Sequence, residues 1–395
     1  MKINIITIVS LLVALSARAG IEHNPKIWQD SAFQKAFMGS YGVRTDIEPP
    51  VSTVEREDME KIMQLMSDEK EPEKSVAKAK KLLLKNQGAA GSAIFDFTLA
   101  NMAFQDDNQD EALAYYQSAV NKFPAFQRAW KNMGLIHVRK GNYSDAVTTL
   151  TRAIELGATD GYSFGLLGFA SFSINDYLSS ESAYRQAMLL QPNNLDWKLG
   201  LLRTLYKQRR FGEVSALCET LIEQDPEKVD YWLMRANAFL ALNQQLKAAQ
   251  IYELLAMEER ASGKVLNMLG DIYVNEKQYS MAADAYLRAA TAAEDAAERS
   301  TVIRNCEVLL ARGAYSETRN VMQALEKGDH SELNDELKKR VLKLEARLAA
   351  NEGMTDEQHV AILRRIVKLD PLDGEALILL GQYYGRANKT EDAVF

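Results

Sequence analysis

Gly161 to Gly165 reads Gly-Tyr-Ser-Phe-Gly, the G-x-S-x-G spelling of a nucleophile elbow. That chemistry needs a buried strand running into Ser163, a helix running out of it, and an acid and then a histidine further along the chain. The histidines are His23, His137, His330 and His359. Other chemical spellings are missing: there is no Walker loop, no H-E-x-x-H, no C-x-x-C and no EF-hand loop. The 14 methionines are scattered over core-like places, which suits packing better than cofactor ligation. No cofactor and no metal site is therefore expected. The basic run KAKKLLLK reads as the solvated face of an amphipathic helix, with nearby glutamates offsetting its charge.

What positions Ser163 decides whether it is a nucleophile. The chain has 395 residues, 47% of them hydrophobic, with only 8 prolines. Ala, Leu, Gln, Glu, Lys and Arg fill long segments, which is a helical composition. The stretches AWKNMGLIHVRKGNYSDAVTTLTRAIELG from Ala129, SFGLLGFASFSINDYLSSESAYRQAMLLQP from Ser163 and VLNMLGDIYVNEKQYSMAADAYLRAA from Val265 superimpose without gaps. Units accordingly start at Ala93, Gln127, Gly161, Leu195, Val229 and Gly263, a constant 34 residues apart. A fixed period of that length signals a stack of repeats. Places below are counted from the first residue of each unit.

Within the units, Trp130, Met133, Gly134 and His137 match Phe164, Leu167 and Gly168, then Trp232, Ala236 and Phe239, then Leu266, Leu269, Gly270 and Tyr273. Place 20 holds Ala112, Ala146, Ser180, Ala248 and Ala282, and place 24 holds Tyr116, Leu150, Tyr184, Tyr252 and Tyr286. Pro124, Pro192 and Pro226 close their units. This pattern resembles the tetratricopeptide repeat family, W-x2-L-G-x2-Y followed by A-x3-F, A and P. The resemblance implies an all-α fold, a right-handed superhelical solenoid of antiparallel helix pairs, in which small residues at places 8 and 20 let helix A and helix B approach. The aromatics at place 17, Tyr143, Tyr177, Phe211, Tyr279 and Tyr315, are expected to fill the gap at the turn. Ser163 then starts a helix that follows another helix. It is expected to serve helix-start chemistry rather than catalysis.

The flanks are less regular. Residues 1–19 have the shape of a secretory signal peptide, a lysine before an apolar run from Ile3 to Leu15 and then Ala17-Arg18-Ala19, with cleavage expected after Ala19. No cysteine follows the run to carry a lipid. Residues 20–58 fit no unit and bear Trp28, Phe33, Phe37 and Tyr41. They are expected to dock as a cap, the rival reading being a tail that reaches a partner. Residues 59–92 read as a worn helix pair, 93–296 as six regular units, and 297–395 as looser ones. In the last stretch a charged connector runs from Gly328 to Lys339. The unit from about Arg340 carries Arg347 and His359 where small residues belong, and a final unit from Gly374 is cut short at Phe395. That truncation suggests a fragment of a longer protein. Cys218 and Cys306 fall at core places of different units and are expected to be free and buried. So few cysteines in an exported chain suit a bacterial periplasm, and on that reading the sequons at Asn142 and Asn388 are chance.

The net charge of -7 offers no attraction to nucleic acid. A two-residue step turns a helix about 200°, so places 2, 5, 9 and 12 of helix A lie opposite the core places. In the family this face binds an extended peptide or a partner helix. On this chain it collects Ile94, Phe97, Asn101 and Phe104, then Arg128, Lys131 and Leu135, then Tyr162, Phe169 and Phe172, then Arg203 and Tyr206. Further on it turns polar, with Asn237, Asn267, Asp271 and Asn275. Phe97, Asn101, Arg128, Lys131, Phe169, Phe172, Arg203 and Tyr206 are the partner-binding candidates, with the charged members treated as solvent-facing. The bland alternative is that the aromatics pack against the N-terminal segment or a neighbouring helix A. Leu135 stands where a carboxylate clamp of the co-chaperone type needs Asn, which argues against a chaperone-tail receptor. The expected function is a non-enzymatic periplasmic scaffold that holds cell-envelope complex subunits through protein contacts. The rival is an accessory or fragment of a larger envelope machine, a TonB-type energiser, a secretion apparatus or an outer-membrane assembly complex, or of an enzyme whose catalytic domain lies beyond residue 395.

Overall fold

A computed structural model describes residues 48–67, 71–291, 296–327, 334–351 and 353–386, and these form nineteen helices and no strand. The signal-peptide reading, the aromatics from Trp28 to Tyr41 and the truncated last helix lie outside the described residues. The chain divides into two compact halves, Met1–Leu217 and Cys218–Phe395. The first holds α1 (Thr53–Met66), α2 (Pro72–Asn86), α3 (Ala93–Gln105), α4 (Gln109–Lys122), α5 (Gln127–Lys140), α6 (Tyr143–Glu155), α7 (Gly161–Ser173), α8 (Tyr177–Leu190) and α9 (Leu195–Lys207). The division falls within α10 (Phe211–Gln224). The second half holds α11 (Val229–Ala241), α12 (Gln245–Met257), α13 (Gly263–Asn275), α14 (Tyr279–Thr291), α15 (Ala296–Ala311), α16 (Tyr315–Lys327), α17 (Asp335–Asn351), α18 (Asp356–Leu369) and α19 (Gly374–Arg386).

Helix A of each regular repeat ends in the same device. The place-15 residue, Asp107, Gly141, Asn175, Arg209, Asn243 or Lys277, has φ between 57° and 76°. The next N–H then reaches back to the place-11 carbonyl, as in Asn142 to His137 at 2.9 Å and Asp176 to Ser171 at 2.9 Å. This is a Schellman closure, which reverses the chain into an antiparallel helix B. Helix starts are capped by side chains: Asn108, Asp160, Asp176, Asn194 and Ser262 each accept an N–H of the first turn. Ser52 with Glu55, and Thr355 with Gln358, form complete capping boxes.

Small residues set the approach of the two helices. A Cβ on Gly134 would lie 2.5 Å from the Leu150 side chain, and one on Gly270 would lie 2.2 Å from the Tyr286 ring. Ala112, Ala146, Ser180, Ala248 and Ala282 are completely buried on the facing helices. The Trp130 and Trp232 indoles donate to the Pro124 and Pro226 carbonyls at 2.9 and 2.8 Å, which ties each helix A to the proline closing the repeat before it. Cys218 and Cys306 are free and buried. Helix α17 begins at Asp335, five residues before the unit start read near Arg340. Its first turn is the charged Asp335-Glu336 pair, taken in sequence for part of a connector. Where Arg347 and His359 replace small residues, His359 turns its Nδ1 to the Tyr383 hydroxyl at 2.5 Å and Arg347 reaches Glu375 at 3.4 Å. A cavity of about 110 Å³ opens beside them, lined by Ala346, Leu363, Ile366 and Ala376.

Candidate functional site

Ser163 is completely buried in the first turn of α7. Its Oγ donates to Asp160 at 2.7 Å and its N–H donates to the other oxygen of the same carboxylate at 3.1 Å. Both glycines of the motif are packing requirements. A Cβ on Gly161 would lie 2.7 Å from the Gln191 side chain, and one on Gly165 would lie 2.4 Å from the Trp197 ring. The motif therefore seats the cap of one helix and the tryptophan of the next repeat.

The carboxylate of Asp160 also receives the Lys131 ammonium at 2.9 Å. Lys131 is 1% exposed, so it does not face solvent as the helical periodicity suggested. Burial pulls its pKa down, with Asp160 opposing. The physical reason is that helix A is packed from both sides in a stack. Place 5 meets the start of the following helix A: Phe97 lies 4.8 Å from the Phe126 ring, Lys131 reaches Asp160, and Gly165 receives Trp197. The 200° argument treats one helix pair alone and misses that contact.

Several other residues of the expected face are likewise occupied within the protein. Phe97, Phe104 and Leu135 are buried. The Arg128 guanidinium sits 4.9 Å from the Phe97 ring centroid and pairs with Glu48, a residue from the segment before α1. Asn101 accepts from the Tyr116 hydroxyl, and Asn132 donates to that hydroxyl at 2.9 Å. In the second half Asn267 accepts from Asn305 at 2.6 Å, and Asp271 accepts from the Tyr286 hydroxyl at 2.7 Å.

The third and fourth repeats differ. Phe169, Phe172 and Arg203 are brought together on the shared face of α7 and α9, where they line a half-open cavity of about 360 Å³. Ser173, Asn175, Tyr177, Tyr184, Gly200 and Lys207 complete it. Phe172 stacks obliquely on Tyr177 at 5.6 Å, and Phe169 meets the edge of Tyr143 at 5.5 Å, so both aromatic walls are held by neighbours. Arg203 is half-buried. Burial lowers its pKa, with Tyr184 and Asp196 opposing. Tyr206 lies further along, edge-on to Phe211 at 5.4 Å. The cavity offers a cation, apolar walls and a tyrosine floor. The Ser173 hydroxyl donates to the Phe169 carbonyl at 2.9 Å, and no histidine or carboxylate among the described residues lines the cavity beside it.

Residues 97–161 and residues 263–295 each match a family model for the tetratricopeptide repeat. The chain is a tetratricopeptide repeat protein. A BBSome complex member of Xenopus tropicalis is 31% identical over 130 residues, which is 30% of this chain and 25% of that protein. An Hsp70-Hsp90 organizing protein of Glycine max is 24% identical over 133 residues, 32% of this chain and 23% of that protein. The chain thus spans about a quarter of the length of these curated relatives. Among solved structures, the tetratricopeptide repeat protein YrrB is 18% identical, with a TM-score of 0.40, over 50% of this chain and 96% of that one. Proteins built from this repeat are scaffolds for protein–protein contact, and that is the functional class of this chain.

Tyr177 and Tyr184 are packing residues of places 17 and 24 in the sequence reading, and it singles out none of Ser173, Asn175, Gly200 and Lys207, because none of the six occupies places 2, 5, 9 or 12 of helix A. Gly200 carried the signal. It is a glycine at place 6, where the neighbouring units have Asn132, Leu166 and Met234.

Proposed function

We propose that the protein is a non-enzymatic scaffold of a bacterial cell envelope, exported after cleavage near Ala19, that holds a protein partner on the α7/α9 face. The observation that carries this reading is the cavity formed by Phe169, Phe172, Tyr177 and Arg203, which pairs rigid aromatic area with a partly desolvated cation. Such pairings are the usual make-up of an interaction hot spot. The binding surface is narrower than the sequence suggested, because Phe97 and Lys131 are enclosed and Arg128 is engaged by Glu48. A photo-crosslinking residue placed at Phe172 is expected to capture a defined envelope protein in intact cells. The same group at Leu189, exposed on α8, is expected not to. An Arg203→Glu change should abolish the first capture. Equal capture from both positions, or capture that ignores Arg203→Glu, would remove the face from consideration. Fractionation that leaves the mature chain in the cytosol would refute the envelope assignment.

A further inference from the structure

The stretch ahead of α1 belongs to no repeat, and it lies on the helix starts of the first two. Ser92, the N-cap of α3, donates its hydroxyl to the Pro50 carbonyl at 2.7 Å and its N–H to Glu55 at 2.7 Å. Pro49 is buried. Glu48 pairs with Arg128 at place 2 of α5, and that guanidinium lies 4.9 Å from the Phe97 ring centroid and 5.6 Å from that of Phe126. The two side chains of the pair are only 22% and 19% exposed, so the contact is a seat in the fold and not a solvated surface ion pair. Followed backwards from α1, the chain passes from the first repeat at Pro50 to the second at Glu48. The next helix A in that direction is α7.

Ahead of Glu48 stand residues 20–47, with Trp28, Phe33, Phe37 and Tyr41 among them. Helices α5, α7 and α9 pack in succession. Packed helices lie about 8–10 Å apart, so an extended chain covers the distance from α5 to α9 in about six residues. Tyr41 stands seven residues before Glu48, which puts the aromatic stretch within reach of the α7/α9 cavity. Charge does not draw it there, because Glu22, Asp30 and Asp46 balance Lys26, Lys35 and Arg44. What the segment carries is aromatic surface that gains by leaving water, and what the face offers is the aromatic walls Phe169 and Phe172.

We propose that residues 20–47 are the resident occupant of the helix-A face of α7 and α9, tethered where Glu48 meets Arg128, with the aromatics from Phe33 to Tyr41 seated against Phe169 and Phe172. A tether this short holds the segment at about millimolar effective concentration over the face. An outside partner that uses the same face meets the segment first, and its apparent affinity is reduced by the fraction of chains in which the face is covered. The inference goes beyond the scaffold reading, since the segment is seated whether or not an outside partner also uses this face.

The test places a photo-crosslinking residue at Phe172 in the purified chain, in an equal mixture of isotope-labelled and unlabelled protein, and maps the products by mass spectrometry. The Phe172 peptide should be joined to a peptide from the stretch Trp28 to Tyr41 carrying the same label, while the same group at Leu189 on α8 should give no such product. Glu48→Arg, which turns the tether into a repulsion, should lower the yield about fivefold or more. Phe37→Ala combined with Tyr41→Ala should lower it by about as much and raise amide exchange over α7 and α9. Both variants change residues outside the repeats and should leave the far-UV circular dichroism as it is. Products that join unlike labels as often as like ones place a second copy on the face and overturn the proposal. So does the absence of any product with residues 20–47, or a yield indifferent to either variant. Capture of an envelope protein from Phe172 in cells by a chain that fails these tests leaves the scaffold reading standing and removes the resident segment. A seated segment with nothing captured in cells does the reverse.

Discussion

Lys131 separates a surface lysine from a buried one, and substitutions there have opposite expected signs. Its side chain is 2% exposed and its ammonium lies 2.9 Å from Asp160, itself 26% exposed. At an effective dielectric of about 20 the attraction at this separation is about 6 kcal/mol. The net downward shift of the Lys131 pKa shows that loss of solvation outweighs this attraction. Lys131→Met, which removes the charge and keeps the volume, is therefore expected to be neutral or to stabilise by about 1 kcal/mol. Lys131→Ala leaves a cavity beside Asp160. The carboxylate keeps its two bonds from Ser163 and some solvent, so the loss should be about 2–3 kcal/mol, below that for a fully buried orphan. Lys131→Glu sets two carboxylates together in a closed site and should cost about 4 kcal/mol or more. Urea unfolding at pH 7 by far-UV circular dichroism gives the ranking. The slope must be compared between variants, because repeat arrays can unfold in steps. Amide exchange over α5 and α7 locates the damage. A Lys131→Glu protein within about 0.5 kcal/mol of wild type would show that the lysine is solvated and the inter-repeat contact absent.

Two further outcomes test the packing. Gly165→Ala puts a methyl 2.4 Å from the Trp197 ring and should cost about 1–3 kcal/mol, whereas Gly212→Ala, with no atom within 4 Å, should be neutral or slightly stabilising; comparison of their urea midpoints checks both. The Cys218 and Cys306 thiols are pushed up to about 12 by burial, against about 8.5 in an unfolded chain. Their raised folded values mean a contribution to stability that is complete below about pH 8.5 and lost as pH climbs toward 12, at most about 1.4 kcal/mol per pH unit for each thiol. Unfolding midpoints from pH 7 to 10 should fall, Cys→Ser variants should flatten that fall, and an aromatic disulfide reagent should label neither cysteine until the protein unfolds.

Much of the fold was legible because a repeat states its packing several times. Gly134, Gly168 and Gly270 against Leu150, Tyr184 and Tyr286 are one sentence written three times, and each copy checks the others. The turn was less legible. Among the left-handed place-15 residues only Gly141 is a glycine, so Arg209 and Lys277 hide a conformation that their side chains do not advertise. The binding face was misread where the argument stayed within one helix pair. Lys131, Phe97 and Leu135 look solvent-facing on an isolated helix A and become interior when the next repeat is laid on. What the periodicity did locate is the trio Phe169, Phe172 and Arg203, which share a cavity in the folded chain.

In an array whose repeated residues are committed to holding neighbours together, the positions free to recognise a partner are those where two consecutive repeats break the pattern at the same point. A single departure is absorbed, as when His359 turns to Tyr383. The third and fourth repeats depart together. Phe169 stands where Asn101 accepts from Tyr116 and Gly200 stands where Asn132 donates to it, so neither partner is present for Tyr184, while Arg203 brings a positive charge to place 9, where Asn101, Asn237 and Asp271 stand in their own repeats. Each change alone would cost packing or a hydrogen bond. Together they leave a polar, basic, aromatic-walled space beside the close contacts of Gly168 and Gly200 on Tyr184 and of Gly165 on Trp197. The Tyr184 ring is held by both Gly168 and Gly200, and the cavity opens beside it.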